Sequence, residues 1–76
     1  MIKTVLEEIR QIKDYNRTIL NMCRIDEDGA KSIFLTEVMK DLKIDFIIDV
    51  IEAEVISKDV YFDPIDDKEI IYLTVK

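Results

Sequence analysis

Seventy-six residues, 49% of them apolar and 37% charged, bound a single well-solvated domain over 1–76 at the small end of what folds alone. The net charge of −6 argues against a general polyanion binder, because nucleic-acid affinity rests largely on Lys and Arg neutralising phosphates. One cysteine, Cys23, and no histidine exclude an internal disulfide and zinc sites built from those ligands, and they suit a reducing compartment, the cytoplasm or virus-infected cytoplasm.

The first predicted element is a long amphipathic helix over residues 2–24. Ile2, Val5, Leu6, Ile9, Ile12, Ile19, Leu20 and Cys23 recur at three- and four-residue steps, as on one helix face. Such a helix would run roughly 36 Å at 1.5 Å per residue, longer than one small core requires. The stripe also fits heptads, with Ile2, Ile9, Asn16 and Cys23 at one core position and Val5, Ile12 and Ile19 at the other. A lone Asn at such a site fixes register and dimer state, so these residues are the expected contact of a homodimer. The alternative is packing against the domain's own helices, with Asn16 at the edge.

Residues 26–31 read as a loop around Gly29. Asp26, Asp28 and Glu37 sit at calcium-loop spacing, but Ala30 and Lys31 stand where an oxygen ligand and a glycine are needed, so calcium is set aside. Ser32-Ile33-Phe34-Leu35 suits a short strand or a helix start. Thr36 and Glu37 look like a helix opening, followed by an apolar face of Val38, Met39 and Leu42. Residues 44–56 fit a helix through Ile44, Ile47, Ile48, Ile51 and Val55. They also fit strand alternation through Ile44, Phe46, Ile48 and Val50; the helix is the expectation here.

Val60-Tyr61-Phe62 and residues 69–75 are β-prone, with turn residues between them, which predicts an antiparallel hairpin over 59–76. The longest apolar run, Ile70 to Leu73, is too short for a membrane span or a signal-peptide core, so neither is expected.

The expected order is therefore a long helix, a helix-turn-helix-like pair over 32–56 and a hairpin, an α+β arrangement. Over residues 17–76 it resembles a winged helix-turn-helix domain. Leu35-Thr36-Glu37-Val38-Met39-Lys40-Asp41-Leu42 stands for the second helix, Asp45 to Val55 for the third, and the tail hairpin for the wing. The resemblance implies a regulator built on that fold. The third helix, which in that family reads DNA, here carries Asp45, Asp49, Glu52 and Glu54 and no basic residue.

Segment 45–69 holds nine acidic residues and two lysines, a net of −7. The charge fits an ordinary solvated acidic face, and it also fits a surface for a basic protein partner made of Asp45, Phe46, Asp49, Val50, Glu52, Glu54, Asp63, Asp66 and Asp67. Phe46, Ile47, Ile48, Val50 and Ile51 exceed what one face can bury, and a leftover apolar strip marks a contact. Catalysis lacks its usual parts: no histidine, one glycine, no recognisable base beside Ser32 or Ser57, and no carboxylate pair set apart from the rest. No cofactor or metal is expected.

The sequence thus supports a non-enzymatic acidic interaction module that binds protein rather than nucleic acid or membrane. By analogy, small acidic domains of this kind include viral and phage inhibitors of host nucleic-acid-binding proteins. The alternative is a dimeric winged-helix transcriptional regulator that meets DNA through Lys3, Arg10, Lys13, Arg17 and Arg24 on its first helix.

Overall fold

The computed structural model describes residues 3–76. It contains helix α1 (Val5–Arg10), strands β1 (Thr18–Ile25) and β2 (Lys31–Val38), a 3-10 turn (Met39–Asp41), helix α2 (Ile44–Ile47), and strands β3 (Val55–Asp63) and β4 (Lys68–Val75). Helix α1 opens where Thr4 caps it, its hydroxyl oxygen accepting from the Glu7 amide at 3.3 Å. Glu7 and Glu8 in the first turn and Arg10 in the last suit the helix dipole. The chain then turns at Asp14, whose carboxylate accepts from the Asn16 amide at 3.2 Å while its carbonyl accepts from the Thr18 hydroxyl at 2.7 Å.

The long helix expected over 2–24 is therefore absent. Its described part is a six-residue helix, a connector and the first strand. Residues 18–23 form a near-continuous apolar run opening on β-branched Thr18 and Ile19, which suits a central strand with parallel pairing. A short buried strand and a helix share that signature, and sheet pairing decides between them.

The sheet order is β2-β1-β4-β3. β1 pairs antiparallel with β2, β3 antiparallel with β4, and β1 lies parallel to β4 at the centre, with Thr18 opposite Glu69 and Arg24 opposite Val75. Gly29 closes the first hairpin with φ 83°, a conformation that other residues adopt with strain. The Asp26 carboxylate accepts from the amides of Asp28 and Ala30 at 3.0 and 2.9 Å within the same loop. In the second hairpin, Asp63 Oδ1 accepts from the amides of Ile65 and Asp66, and Asp67 takes φ 52°.

The helix-turn-helix expected over 32–56 is absent too. Residues 31–38 are the edge strand β2, and apart from the single 3-10 turn at Met39–Asp41 only Ile44–Ile47 is helical. Thr36, expected to cap a helix, lies opposite Asn21 in β1 and donates its hydroxyl to Asn21 Oδ1 at 2.7 Å. The winged helix-turn-helix resemblance falls with it, since the described residues form a four-stranded mixed sheet and two short helices. The antiparallel pair expected at 59–76 is present as β3 and β4, but β4 also pairs with β1, so it is half of the central sheet and not a free wing.

One sheet face carries the core. Leu20 and Met22 of β1 and Ile71, Leu73 and Val75 of β4 alternate onto it and meet Val5 and Ile9 of α1, Met39, Ile47 and Val50. The opposite face, bearing Ile19, Asn21 and Cys23 of β1 and Ile70, Tyr72 and Thr74 of β4, has no helix over it among the described residues. No helix among the described residues is long and apolar enough to cross a membrane.

Candidate interaction site

Helix α2 buries only Ile47 within its four residues. A helical step of about 100° per residue then points the others outward. Asp45 and Asp49 form the crest, Ile44 and Ile48 lie on one flank and Phe46 on the other. Ile44, Phe46 and Ile48 are 51, 55 and 58% exposed, an unusual concentration of bare apolar surface over five residues. Glu52 is exposed just beyond, and Glu54 is half-buried, its carbonyl accepting from the Lys76 amide and its carboxylate 3.9 Å from the Lys76 ammonium.

Two other groups of expected partner residues lie elsewhere. Val50 is buried in the core. Asp63, Asp66 and Asp67 belong to the β3–β4 hairpin tip, where Asp63 holds the turn and Asp67 Oδ2 meets Arg17 Nη1 at 2.6 Å. The acidic segment thus divides into a corner at 44–52 and a tip at 63–67, where Asp63 is engaged by its own loop and Asp67 by Arg17.

The residues expected to form a dimer do not share a face. Val5 and Ile9 are in the core, Ile12 packs against it, Asn16 is exposed in the connector, and Ile19 and Cys23 lie on the helix-free sheet face. Ile2 lies outside the described residues. Burial pushes the Cys23 thiol up, and nearby Asp59 adds to this while Lys31 partly offsets it. A thiol held neutral in this way is a poor nucleophile.

Sequence reasoning missed two charged arrangements, because both depend on strand order. On the helix-free face, Lys31 of β2 reaches to Asp59 of β3 at 3.8 Å, and with Tyr61, Ile70 and Tyr72 they line a shallow groove of about 410 Å³. Tyr61 and Tyr72 meet edge to face there, with centroids 5.6 Å apart. On the core side, Glu8 is nearly buried, with Lys58 Nζ 3.0 Å from its Oε2 and Lys3 Nζ 3.8 Å from its Oε1. Among the described residues no three His, Cys, Asp or Glu side chains converge as metal ligands would. No family model, curated protein or solved structure shows a significant match to this chain.

Proposed function

We propose that this chain is a non-enzymatic acidic interaction module that binds a basic protein surface through its 44–52 corner. The observation that carries the reading is the make-up of that corner. Three large apolar side chains more than half exposed flank an acidic crest on a helix too short to serve the core alone. Apolar contact supplies affinity at such a site, and Asp45, Asp49 and Glu52 select a positively charged partner. The module works as a regulator or inhibitor, of the kind that viruses and phages direct at host nucleic-acid-binding proteins. A single buried free thiol suits the reducing cytoplasm. The expected homodimer keeps its place in this reading, with a strand in place of residues 2–24 as the contact.

The test is affinity capture from native lysate with the wild-type chain and with the double variant Phe46→Ser, Asp49→Lys. Both positions are exposed, so the variant keeps its fold. A basic protein retained by the wild type and lost by the variant supports the reading. The same set of proteins from both chains, or none from either, overturns it.

A further inference from the structure

Strand β3 is an edge strand whose only strand partner among the described residues is β4. Among the described residues, Val55 alone uses its outer side, donating its amide to the Lys3 carbonyl at 2.8 Å. Beyond it, among the described residues, nothing pairs with the outer side of residues 57–63, and Val60, Tyr61 and Phe62 are 49, 58 and 64% exposed. A regular apolar edge of this kind templates pairing unless the chain blunts it. The other edge, β2, is blunted by a bulge at Phe34 in mid-strand. The irregularity in β3 falls at its start, near Ile56, and leaves the rest regular.

Charged side chains are the other usual guard of an edge. Here Lys58 is drawn to Glu8 on the core side, at 3.0 Å, and Asp59 to Lys31 on the helix-free side, at 3.8 Å. Neither charge stands off the edge. We propose that two copies of this chain pair β3 with β3, antiparallel about a two-fold axis at Val60, and so join two four-stranded sheets into one. The inference deepens the homodimer reading and is independent of the 44–52 corner.

Charge selects among the registers centred on the middle of β3, from Lys58 to Tyr61. A two-fold axis perpendicular to the sheet keeps each face on its own side, so the axis passes through one residue position. Centred on Lys58 or Asp59, the pairing sets like charges directly opposite, and centred on Tyr61 it opposes Asp59 to Asp63 twice. Centred on Val60, it sets Val60 on Val60, Lys58 against Phe62, Asp59 against Tyr61 and Ser57 against Asp63. That register opposes no like charges, lays a cation against an aromatic ring and adds main-chain bonds along the strand.

Sedimentation equilibrium at about 100 μM tests the proposal, a concentration at which a micromolar dimer is nearly fully formed. The wild type is expected as a dimer of 9.0 kDa chains. Val60→Lys brings two ammonium groups together and should weaken association by about tenfold or more, with circular dichroism unchanged. Phe62→Lys, which would face Lys58, is a second variant at a still more exposed position. Register is read separately. Mild oxidation should crosslink Val60→Cys, because directly opposed Cα atoms lie about 4.5–5.5 Å apart. Tyr61→Cys, out of register with its own copy, should remain uncrosslinked. A wild-type monomer at this concentration, undiminished association of both lysine variants, or crosslinking at 61 in preference to 60 overturns the proposal. None of these outcomes bears on partner capture through Phe46 and Asp49, so the two readings fail separately.

Discussion

Thr74 and Glu8 are both polar and both buried, yet they stand differently toward their surroundings. The Thr74 hydroxyl is fully enclosed on the helix-free face beside Cys23 and has no hydrogen-bond partner. A buried hydroxyl without a partner carries a desolvation cost and no return. Thr74→Val should therefore leave stability unchanged or raise it by about 1 kcal/mol. Urea unfolding measures this as a midpoint that holds or rises at constant slope; a clear fall would mean that the hydroxyl is bonded. The Glu8 carboxylate is nearly buried but sits between two lysines, although its Oε2 contact with Lys58 is off the angle of a well-aligned hydrogen bond. The lysine side chains are 44 and 37% exposed, so they can return to water when Glu8 is neutralised, whereas Glu8 cannot when Lys58 is removed. Lys58→Met should thus cost about 2 kcal/mol, the usual penalty for a stranded buried charge discounted for partial solvent screening. Glu8→Gln should cost roughly half of that. An equal or reversed order in urea unfolding would overturn this account of the cluster.

At the level of elements, α2 separates two neighbouring isoleucines. Ile47 is enclosed by the core, and Ile48 is more than half exposed. Ile47→Ala should cost about 3 kcal/mol, from lost burial and the cavity left behind. Ile48→Asp should stay within about 0.5 kcal/mol, since its side chain is more than half exposed and lies outside the core cluster. Thermal unfolding of the pair checks this, and comparable losses would mean that α2 packs through both residues. The C-terminal hairpin was legible because each strand alternates or is β-branched and Asp63-Pro64 marks the turn between them. β1 was not, because Ile19, Leu20 and Cys23 continue by coincidence the three- and four-residue spacing of α1. The local breaker, Asp14 with Asn16 and Thr18, is polar chemistry that a periodicity count passes over. β2 was hidden for a similar reason: Thr36 and Glu37 suit a helix start, and only the Asn21 hydrogen bond across the strands reveals another use. The exposed apolar strip within 44–56 was readable as an excess of apolar residues over one face. Which of them face outward was not, because α2 ends after Ile47 and the following turns return Val50 to the core.

Over the whole molecule, the distribution of positive charge matters more than its sum. Of eleven basic residues, Lys3 and Lys58 lie at Glu8, Arg17 at Asp67 and Asp14, Lys31 at Asp59 and Lys76 at Glu54. Arg24 lies over the Phe34 ring, 5.0 Å from its centroid. The five cations that a DNA-binding first helix would have needed are scattered. Lys3 precedes α1, Arg10 ends it, Lys13 and Arg17 are in the connector, and Arg24 is near the far end of β1. With no long helix to align them, they form no stripe that could follow a phosphate backbone. Each phosphate neutralised adds about 0.9 to the slope of affinity against salt, so a binder needs several such contacts to hold at physiological ionic strength. Here a surface of net charge −6 opposes every one. Duplex DNA should therefore give no shifted band at about 10 μM protein and about 150 mM salt, a regime in which specific binders are saturated. Sub-micromolar binding there would overturn the view that the acidic surface selects a protein partner.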